Sequence, residues 1–354
     1  MTESKRIDYL DMAKGIGILL VIIGHISYVS EPVRQYISSF HMPLFFVISG
    51  ILLCYKQEEN SSLREFAGRK FKGLMMPYYF FSLCVLLIES ARIIWKNANT
   101  WENVLRQAFQ SLCLQGVSVL WFLPALFIGE LLFVLIRKHC SHLQTGIVLV
   151  IVCVVTYFGS GATQEYFLQK SSIGAALCYD VISMALRNLF CVGLVGIGYY
   201  FAKAILCRKF GRIVESLFAL GLLVLTGVVL IQNGAVDLRG MNLGNIVWFL
   251  AGGISGSAGV ILMCRVLETL PVKGLRRFLI FMGCNSLLIM VTHLDFRVLY
   301  ISICATGMLR DILFPYGWLI CISIVLFVIL IESVIIILVS FCRKIFQKNK
   351  KQNS

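Results

Sequence analysis

Long apolar runs alternate with short polar segments along the whole chain. Many runs approach or exceed about 18 residues, the length that an α-helix needs to cross a bilayer. The pattern predicts an all-α polytopic membrane protein of about ten transmembrane helices in one bundle. An apolar stretch at 101–114 is too short to span and is expected to lie at the interface or fold back. The predicted spans are 10–29, 37–55, 73–94, 117–136, 145–159, 177–202, 213–232, 244–264, 278–300 and 317–341.

Composition supports this class and excludes a soluble protein. Of the 354 residues, 58% are hydrophobic and only 14% are charged, which no soluble domain of this length shows. The cysteines include no C-x-x-C pair, so the sequence predicts neither a metal site nor a redox cluster. We expect one integral membrane domain over residues 1–354, in which residues 343–354 form a basic cytoplasmic tail.

The formal net charge of +14 is compatible with nucleic-acid binding, but its distribution indicates membrane topology. Most of the 32 Lys and Arg residues fall in alternate polar segments, on the side that both termini share. Loops rich in Lys and Arg stay on the cytoplasmic side of a membrane. The sequence therefore predicts a cell-membrane protein with cytoplasmic termini that contacts membrane lipids and binds no nucleic acid.

The first predicted span carries two ionisable residues, Lys14 and His25. Eleven positions make about three helical turns, so the two side chains share one face, about 16 Å apart along the axis. An ionisable group within a span is costly, and its default interpretation is functional. The alternative is that Lys14 reaches the interface and His25 only packs.

Three more charged residues lie deep in predicted spans: Glu130 in the fourth, Arg187 in the sixth and Glu332 in the tenth. A buried carboxylate must pair, take up a proton or face water, and an arginine needs an anion or a wet cavity. We expect Glu130 and Arg187 to border a functional cavity and assign no role to Glu332. Trp121, where the fourth span begins, is either an interfacial residue or a substrate contact.

Two other histidines are predicted toward the outer face, near the level of His25. His41 lies early in the second span, and His293 lies in the ninth, eight positions after Asn285. Eight positions are a little over two turns, so Asn285 and His293 are expected on one helix face. A neutral histidine in an apolar site can take a proton from a hydroxyl, which makes the histidines candidate bases.

Three cations, Arg69, Lys70 and Lys72, precede the third span and its Pro77. One interpretation is topology signalling and contact with anionic lipids. The other is a site for a cytosolic polyphosphate, because clustered guanidinium and ammonium groups supply charge and donors to phosphate oxygens.

Short motifs through nearly the whole chain resemble the acyltransferase-3 family of integral membrane O-acyltransferases, and within it the fucose 4-O-acetylase-like branch. The family pattern of a basic residue, ten positions and a histidine falls on Lys14 and His25. Most members have Arg at the first position, so Lys14 leaves open a forked or a point-charge contact. The matching motifs are Arg6 to Asp11, Lys14 to Ile16, Gly24-His25, Phe40 to Phe46 with Ser49-Gly50, Lys70 to Lys72 with Pro77-Tyr78, Leu120 to Leu123, Arg187-Asn188, and Asn285 to Leu287 with His293.

This resemblance implies transfer of an acetyl or another short acyl group from acyl-CoA, with acetyl-CoA as donor and no metal. The acceptor would be a hydroxyl of a cell-envelope or exopolysaccharide glycan, or of a lipid-linked sugar. The expected site residues are catalytic His25, Lys14, His293 and Glu130; cofactor-binding Lys14, Arg69, Lys70, Lys72 and Arg187; and substrate-binding His41, Trp121 and Asn285.

Two alternatives stay open at the level of sequence. His25 can act as a general base or carry the acyl group covalently. A transporter or flippase of an envelope precursor would also suit many spans with buried charges, although the chain shows no internal repeat.

Overall fold

The computed structural model describes residues 6–96, 100–170, 172–203, 210–308 and 317–352, and these are almost entirely helical. Short helical turns at Glu58–Asn60 and Ser118–Trp121 and a π-helical segment at Phe71–Met75 connect the longer helices. The helices are α1 (Asp8–Gly24), α2 (Glu31–Tyr55), α3 (Leu63–Lys70), α4 (Met76–Lys96), α5 (Trp101–Leu112), α6 (Phe122–His139), α7 (His142–Phe167), α8 (Ile173–Phe201), α9 (Arg212–Asn233), α10 (Ile246–Glu268), α11 (Lys273–Cys284), α12 (Ser286–Asp295), α13 (Val298–Gly307) and α14 (Gly317–Gln352).

The predicted all-α polytopic class is confirmed. Within the described ranges, eight helical stretches are long and apolar enough to span a membrane, and the bent pair α11–α12 makes a ninth. Helix α1, the first predicted span, has only 17 residues and contains Asp8, Asp11 and Lys14. Its length is slightly below the roughly 18 residues that a helix needs to cross a bilayer, so α1 is not counted among these stretches.

Several boundaries differ from the predicted ones. The fifth span is a helix of 26 residues, His142–Phe167, rather than the short 145–159 segment. The third continues backwards through the π-helical segment into α3, giving one apolar stretch over Leu63–Trp95. The segment at 101–114 contains the short helix α5. Part of the predicted tail, 353–354, lies outside the described residues.

The ninth predicted span, 278–300, is broken. Helices α11 and α12 meet at Asn285 with a bend of 69°, and α12 ends at Asp295. The Asn285 side-chain amide donates to the carbonyl of Phe281 at 2.8 Å, so this side chain caps the end of α11. The prediction that Asn285 and His293 share the face of one straight helix is therefore wrong.

Helix α1 lies at the centre of the bundle, where it packs tightly on α11. A Cβ atom added to Gly15 would lie 2.1 Å from the carbonyl oxygen of Leu279, and one on Gly283 would lie 1.8 Å from that of Asp11. Only glycine permits backbones to approach so closely. This contact fixes Lys14, the neighbour of Gly15, against the bend between α11 and α12.

Candidate functional site

Two of the cavities among the described residues are bordered by ionisable residues of the first span, Lys14 toward one end of α1 and His25 at the other. The first, here the lysine cavity, has a volume of about 350 Å³. Lys14 on α1, Lys70 and Arg69 at the end of α3, and Glu130 on α6 supply its charged lining. Ser49, Phe45, Phe122, Leu126, Gly283, Cys284, Leu287 and Met290 are among the other lining residues.

Each cation of the lysine cavity has a carboxylate partner. The Lys14 ammonium lies 2.5 Å from Asp11, one turn earlier on α1. The Arg69 guanidinium lies 2.5 Å from Glu58, and Lys70 lies 2.6 Å from Glu130. Lys14, Arg69 and Lys70, three of the five residues expected to bind the cofactor, thus converge on one cavity, and carboxylates of the protein neutralise them there.

Glu130 serves as the counterion of Lys70. Its side chain is buried, and one carboxylate oxygen accepts hydrogen bonds from Lys70 and from the hydroxyl of Ser49. The other oxygen is buried and has no hydrogen-bond partner among the described residues. Because Glu130 borders the lysine cavity and not the histidines, its position does not favour the predicted catalytic role.

The second cavity, here the histidine cavity, has a volume of about 430 Å³. His25, which follows the last residue of α1, and His41 on α2 both line it, as does Trp121. His293 on α12 lies behind His25, with ring centroids 5.2 Å apart, and is fully buried. The structure therefore brings together the three histidines that the sequence placed in three separate spans.

One local hydrogen bond orients each of these imidazoles in the same way. In every case Nδ1 lies within hydrogen-bonding distance of the carbonyl oxygen four residues earlier. A carbonyl oxygen only accepts, so Nδ1 carries the proton and Nε2 keeps its lone pair as a base. The pairs are His25 with Val21 at 2.8 Å, His41 with Ile37 at 2.8 Å, and His293 with Ile289 at 3.0 Å.

Lys14 and His25 border different cavities, and those cavities adjoin. Among the described lining residues, Met290 on α12 is common to both. The basic residue and the histidine of the first span therefore border two neighbouring cavities along α1. The residue at this junction is a methionine, whose side chain is flexible and apolar.

Arg187 does not lie where a cofactor contact was expected. It is buried on α8 outside both cavity linings, and its guanidinium donates to the carbonyls of Gln115 at 3.0 Å and Arg239 at 3.4 Å. The same group lies 5.0 Å from the ring centre of Trp121. Backbone oxygens and an aromatic face satisfy this charge, so Arg187 holds two loops together beside the histidine cavity.

Two other expected contacts also fall outside the cavities. Lys72 is exposed in the π-helical segment and does not line the lysine cavity. Asn285 lies at the bend between α11 and α12 and uses its amide to cap α11, so it lines neither cavity. Sequence spacing could not show this, because both positions depend on local breaks in the helices.

Sequence reasoning missed Asp11, Arg34 and Arg239. Asp11 is buried and pairs with Lys14, and its position three residues before Lys14 was a readable signal. Arg34 and Arg239 line the histidine cavity from α2 and from the loop between α9 and α10. No signal identified them, because surface loops commonly carry arginine.

Glu332, to which the sequence assigned no role, is fully buried on α14. Its carboxylate accepts a hydrogen bond from the hydroxyl of Thr292 at 2.7 Å. Thr292 precedes His293, so this bond ties α14 to the helix that carries the third imidazole.

The fold is that of a multi-pass membrane protein. Its candidate site is internal and consists of a cation-lined cavity next to a histidine-lined cavity. The chain matches the acyltransferase-3 family, described as an acyltransferase domain, over residues 7–339, and it belongs to this family of membrane acyltransferases. The family prediction is confirmed, whereas the fucose 4-O-acetylase-like branch stays a prediction.

A curated relative matches part of the chain. The nodulation protein NolL of Mesorhizobium japonicum is 31% identical over 137 residues, which are 36% of this chain and 34% of NolL. The match thus spans about a third of that relative's length. No solved structure matches the chain.

Proposed function

We propose that the protein transfers a short acyl group, acetyl in the simplest case, from acyl-CoA in the lysine cavity to a glycan hydroxyl in the histidine cavity. The observation that carries this proposal is the junction of the two cavities at Met290, with cations on one side and imidazole bases on the other. Membership of the acyltransferase-3 family supports the same chemistry.

The lysine cavity suits the phosphates of CoA. Lys14, Arg69 and Lys70 supply ammonium and guanidinium donors, which form strong charge-assisted bonds to phosphate oxygens. Donor binding exchanges phosphates for the carboxylates that pair with these cations in the structure. The eleven helical steps from Lys14 to His25 extend about 16 Å, which is comparable to a pantetheine arm.

In the proposed reaction, His25 Nε2 takes the proton of the acceptor hydroxyl as its oxygen attacks the thioester carbonyl. The tetrahedral intermediate collapses, the carbon–sulfur bond breaks, and the CoA thiolate recovers the proton from the imidazolium. The bond from Nδ1 to the Val21 carbonyl fixes the tautomer that this step requires. General base catalysis by one group typically contributes about 10²–10⁴-fold in rate.

The proposal includes an orientation in a cell membrane. The positive-inside charge pattern supports a lysine cavity on the cytoplasmic side, at the N-terminal end of α1. The histidine cavity then lies toward the opposite side of the membrane. Lys170→Cys and Gln57→Cys are introduced separately into a variant of the protein whose exposed native cysteines have been replaced. In intact cells, a membrane-impermeant thiol reagent should label Lys170→Cys but not Gln57→Cys. The reverse labelling would overturn this orientation.

The test of the function is acetyl transfer by purified protein in proteoliposomes, measured with radiolabelled acetyl-CoA and envelope glycans. His25→Gln keeps much of the size and hydrogen bonding of histidine but cannot take the proton, so we expect at least a 10²-fold loss. His139→Gln, at the exposed end of α6, is the matched control and should keep full activity.

Two results would contradict the proposal in different ways. Substantial transfer by His25→Gln would remove His25 from the mechanism and leave His41 and His293 as candidate bases. Movement of a glycan precursor across the bilayer without acyl transfer would instead identify a flippase.

A further inference from the structure

The histidine cavity contains a second type of recognition group besides its imidazoles. Its charged lining residues are Arg34, Arg239 and Asp237. We propose, resting on the function proposed above, that the acceptor glycan carries an oxyanion near the reacting hydroxyl, as a sugar carboxylate or a phosphodiester, and that Arg239 binds it.

Arg239 lies on a loop that the bundle holds firmly. Residues 234–245 form a hairpin in which Asp237 and Asn242 exchange backbone hydrogen bonds of 2.7 and 2.9 Å. The loop carbonyls of Gly240 and Gly244 accept from Gln164 at 3.0 Å and from Tyr157 at 2.7 Å. Side chains of this loop are buried in the main core: Val236, Leu238, Met241 and Leu243.

The backbone of Arg239 is anchored on both of its polar groups. Its N–H donates to the Asp237 carboxylate at 2.9 Å, and its carbonyl accepts from the buried Arg187 at 3.4 Å. By contrast, its guanidinium has no hydrogen bond or ion pair within the described residues. A fixed backbone that presents an unpaired guanidinium to a cavity favours anion binding, because the backbone loses little entropy on binding and the guanidinium gives up no internal partner.

No acidic group among the described residues forms a hydrogen bond or an ion pair with this guanidinium. The Asp237 carboxylate is occupied by the backbone N–H groups of Arg239 and Gly240, at 2.9 and 3.1 Å. Glu31 pairs with Arg34 at 3.7 Å. Asp295, at the end of α12, interacts electrostatically with Arg239 but does not line the cavity.

The chemistry of guanidinium selects the class of ligand. Its planar fork matches the two oxygens of a carboxylate or a phosphate, whereas a neutral sugar hydroxyl makes a weaker contact. Arg239 and His25 line the same cavity, so an anion held by Arg239 would position a hydroxyl of the same glycan near Nε2 of His25. Arg239 would thus set both affinity and the choice of hydroxyl.

The experiment uses detergent-purified full-length protein, radiolabelled acetyl-CoA and three acceptor probes: a neutral galacto-oligosaccharide, an oligogalacturonate and a glycerol-phosphate oligomer. We expect an anionic probe to be acetylated with the higher kcat/KM. Arg239→Gln should raise KM for that probe and lower its kcat/KM about tenfold or more. Arg92→Gln removes an arginine that pairs with Glu89 away from the cavity, and should leave both constants unchanged.

The outcomes separate the inference from the function on which it rests. Preference for oligogalacturonate assigns a carboxylate sugar, and preference for glycerol phosphate assigns a phosphodiester. Preference for the neutral probe, an unchanged KM in Arg239→Gln, or transfer to none of the probes overturns the inference. Failure to label even bulk envelope glycan would overturn the proposed function as well.

Discussion

Variants of the Lys70–Glu130 ion pair can separate its contribution to the stability of the fold from its proposed contribution to binding of acetyl-CoA. Glu130 has 2% of its side chain exposed and Lys70 has 29%. Lys70→Met leaves a buried carboxylate with only the Ser49 hydroxyl as partner. Removing one member of a buried pair costs about 3–5 kcal/mol, and the partial exposure of Lys70 places this case near the lower value.

The double variant Lys70→Met/Glu130→Gln removes both charges. Replacing a whole buried pair with neutral groups is often nearly neutral for stability, so most of the loss should be recovered. Donor binding should not recover, because the proposed phosphate contact is still missing. Loss of one charge-assisted bond of about 1.5–3 kcal/mol predicts roughly a 10- to 150-fold weaker Kd for acetyl-CoA in both variants.

Two measurements on detergent-purified protein decide the matter: thermal unfolding and equilibrium binding of acetyl-CoA. Lys72→Met is the matched control, because Lys72 is exposed and lies outside the cavity, and it should change neither quantity. Wild-type donor affinity in the double variant would refute the role of Lys70 in binding. Unchanged stability of Lys70→Met would refute the account of the ion pair.

Two further predictions address positioning and packing. Arg187→Met should raise the acceptor KM, because it displaces the hairpin that carries Arg239, and should leave the affinity for acetyl-CoA unchanged. Weaker binding of acetyl-CoA would instead indicate that Arg187 contributes to the donor site. Gly15→Ala drives a methyl group against the Leu279 carbonyl and should cost about 1–3 kcal/mol in thermal stability. Gly274→Ala meets open space and serves as control, and equal stability of the two variants would contradict the close packing of α1 on α11.

Hydropathy alone identified the class and most spans, because the bilayer sets the length of an apolar helix. It could not locate the break at Asn285, since a side chain that caps its own backbone leaves hydropathy unchanged. The cost of burying charge likewise marked Glu130 and Arg187 as unusual but could not name their partners. Those partners, Lys70 and the 234–245 loop, lie far away in the sequence, and only the folded chain brings them close.

The same limit explains how far the site could be predicted. Lys14 and His25 were found because helix geometry relates positions within one span. Lys72 was grouped with Lys70 by proximity in sequence, yet the π-helical segment leaves Lys72 exposed and outside the cavity. Arg239 carried no sequence signal, because its significance comes from the hairpin fold.

The position of Met290 bears on how well the bilayer blocks ions and protons at this protein. In the proposed orientation the two cavities open toward opposite faces and thin the low-dielectric barrier. The residue common to their described linings is Met290, a buried thioether on the ten-residue helix α12. Ions and protons cross a barrier along water molecules or polar groups, and a methionine side chain supplies no such group. A slender thioester arm can displace the same side chain by rotation about its bonds. Under the proposed function, this arrangement would let an acyl group pass while the electrochemical gradient across the bilayer is kept.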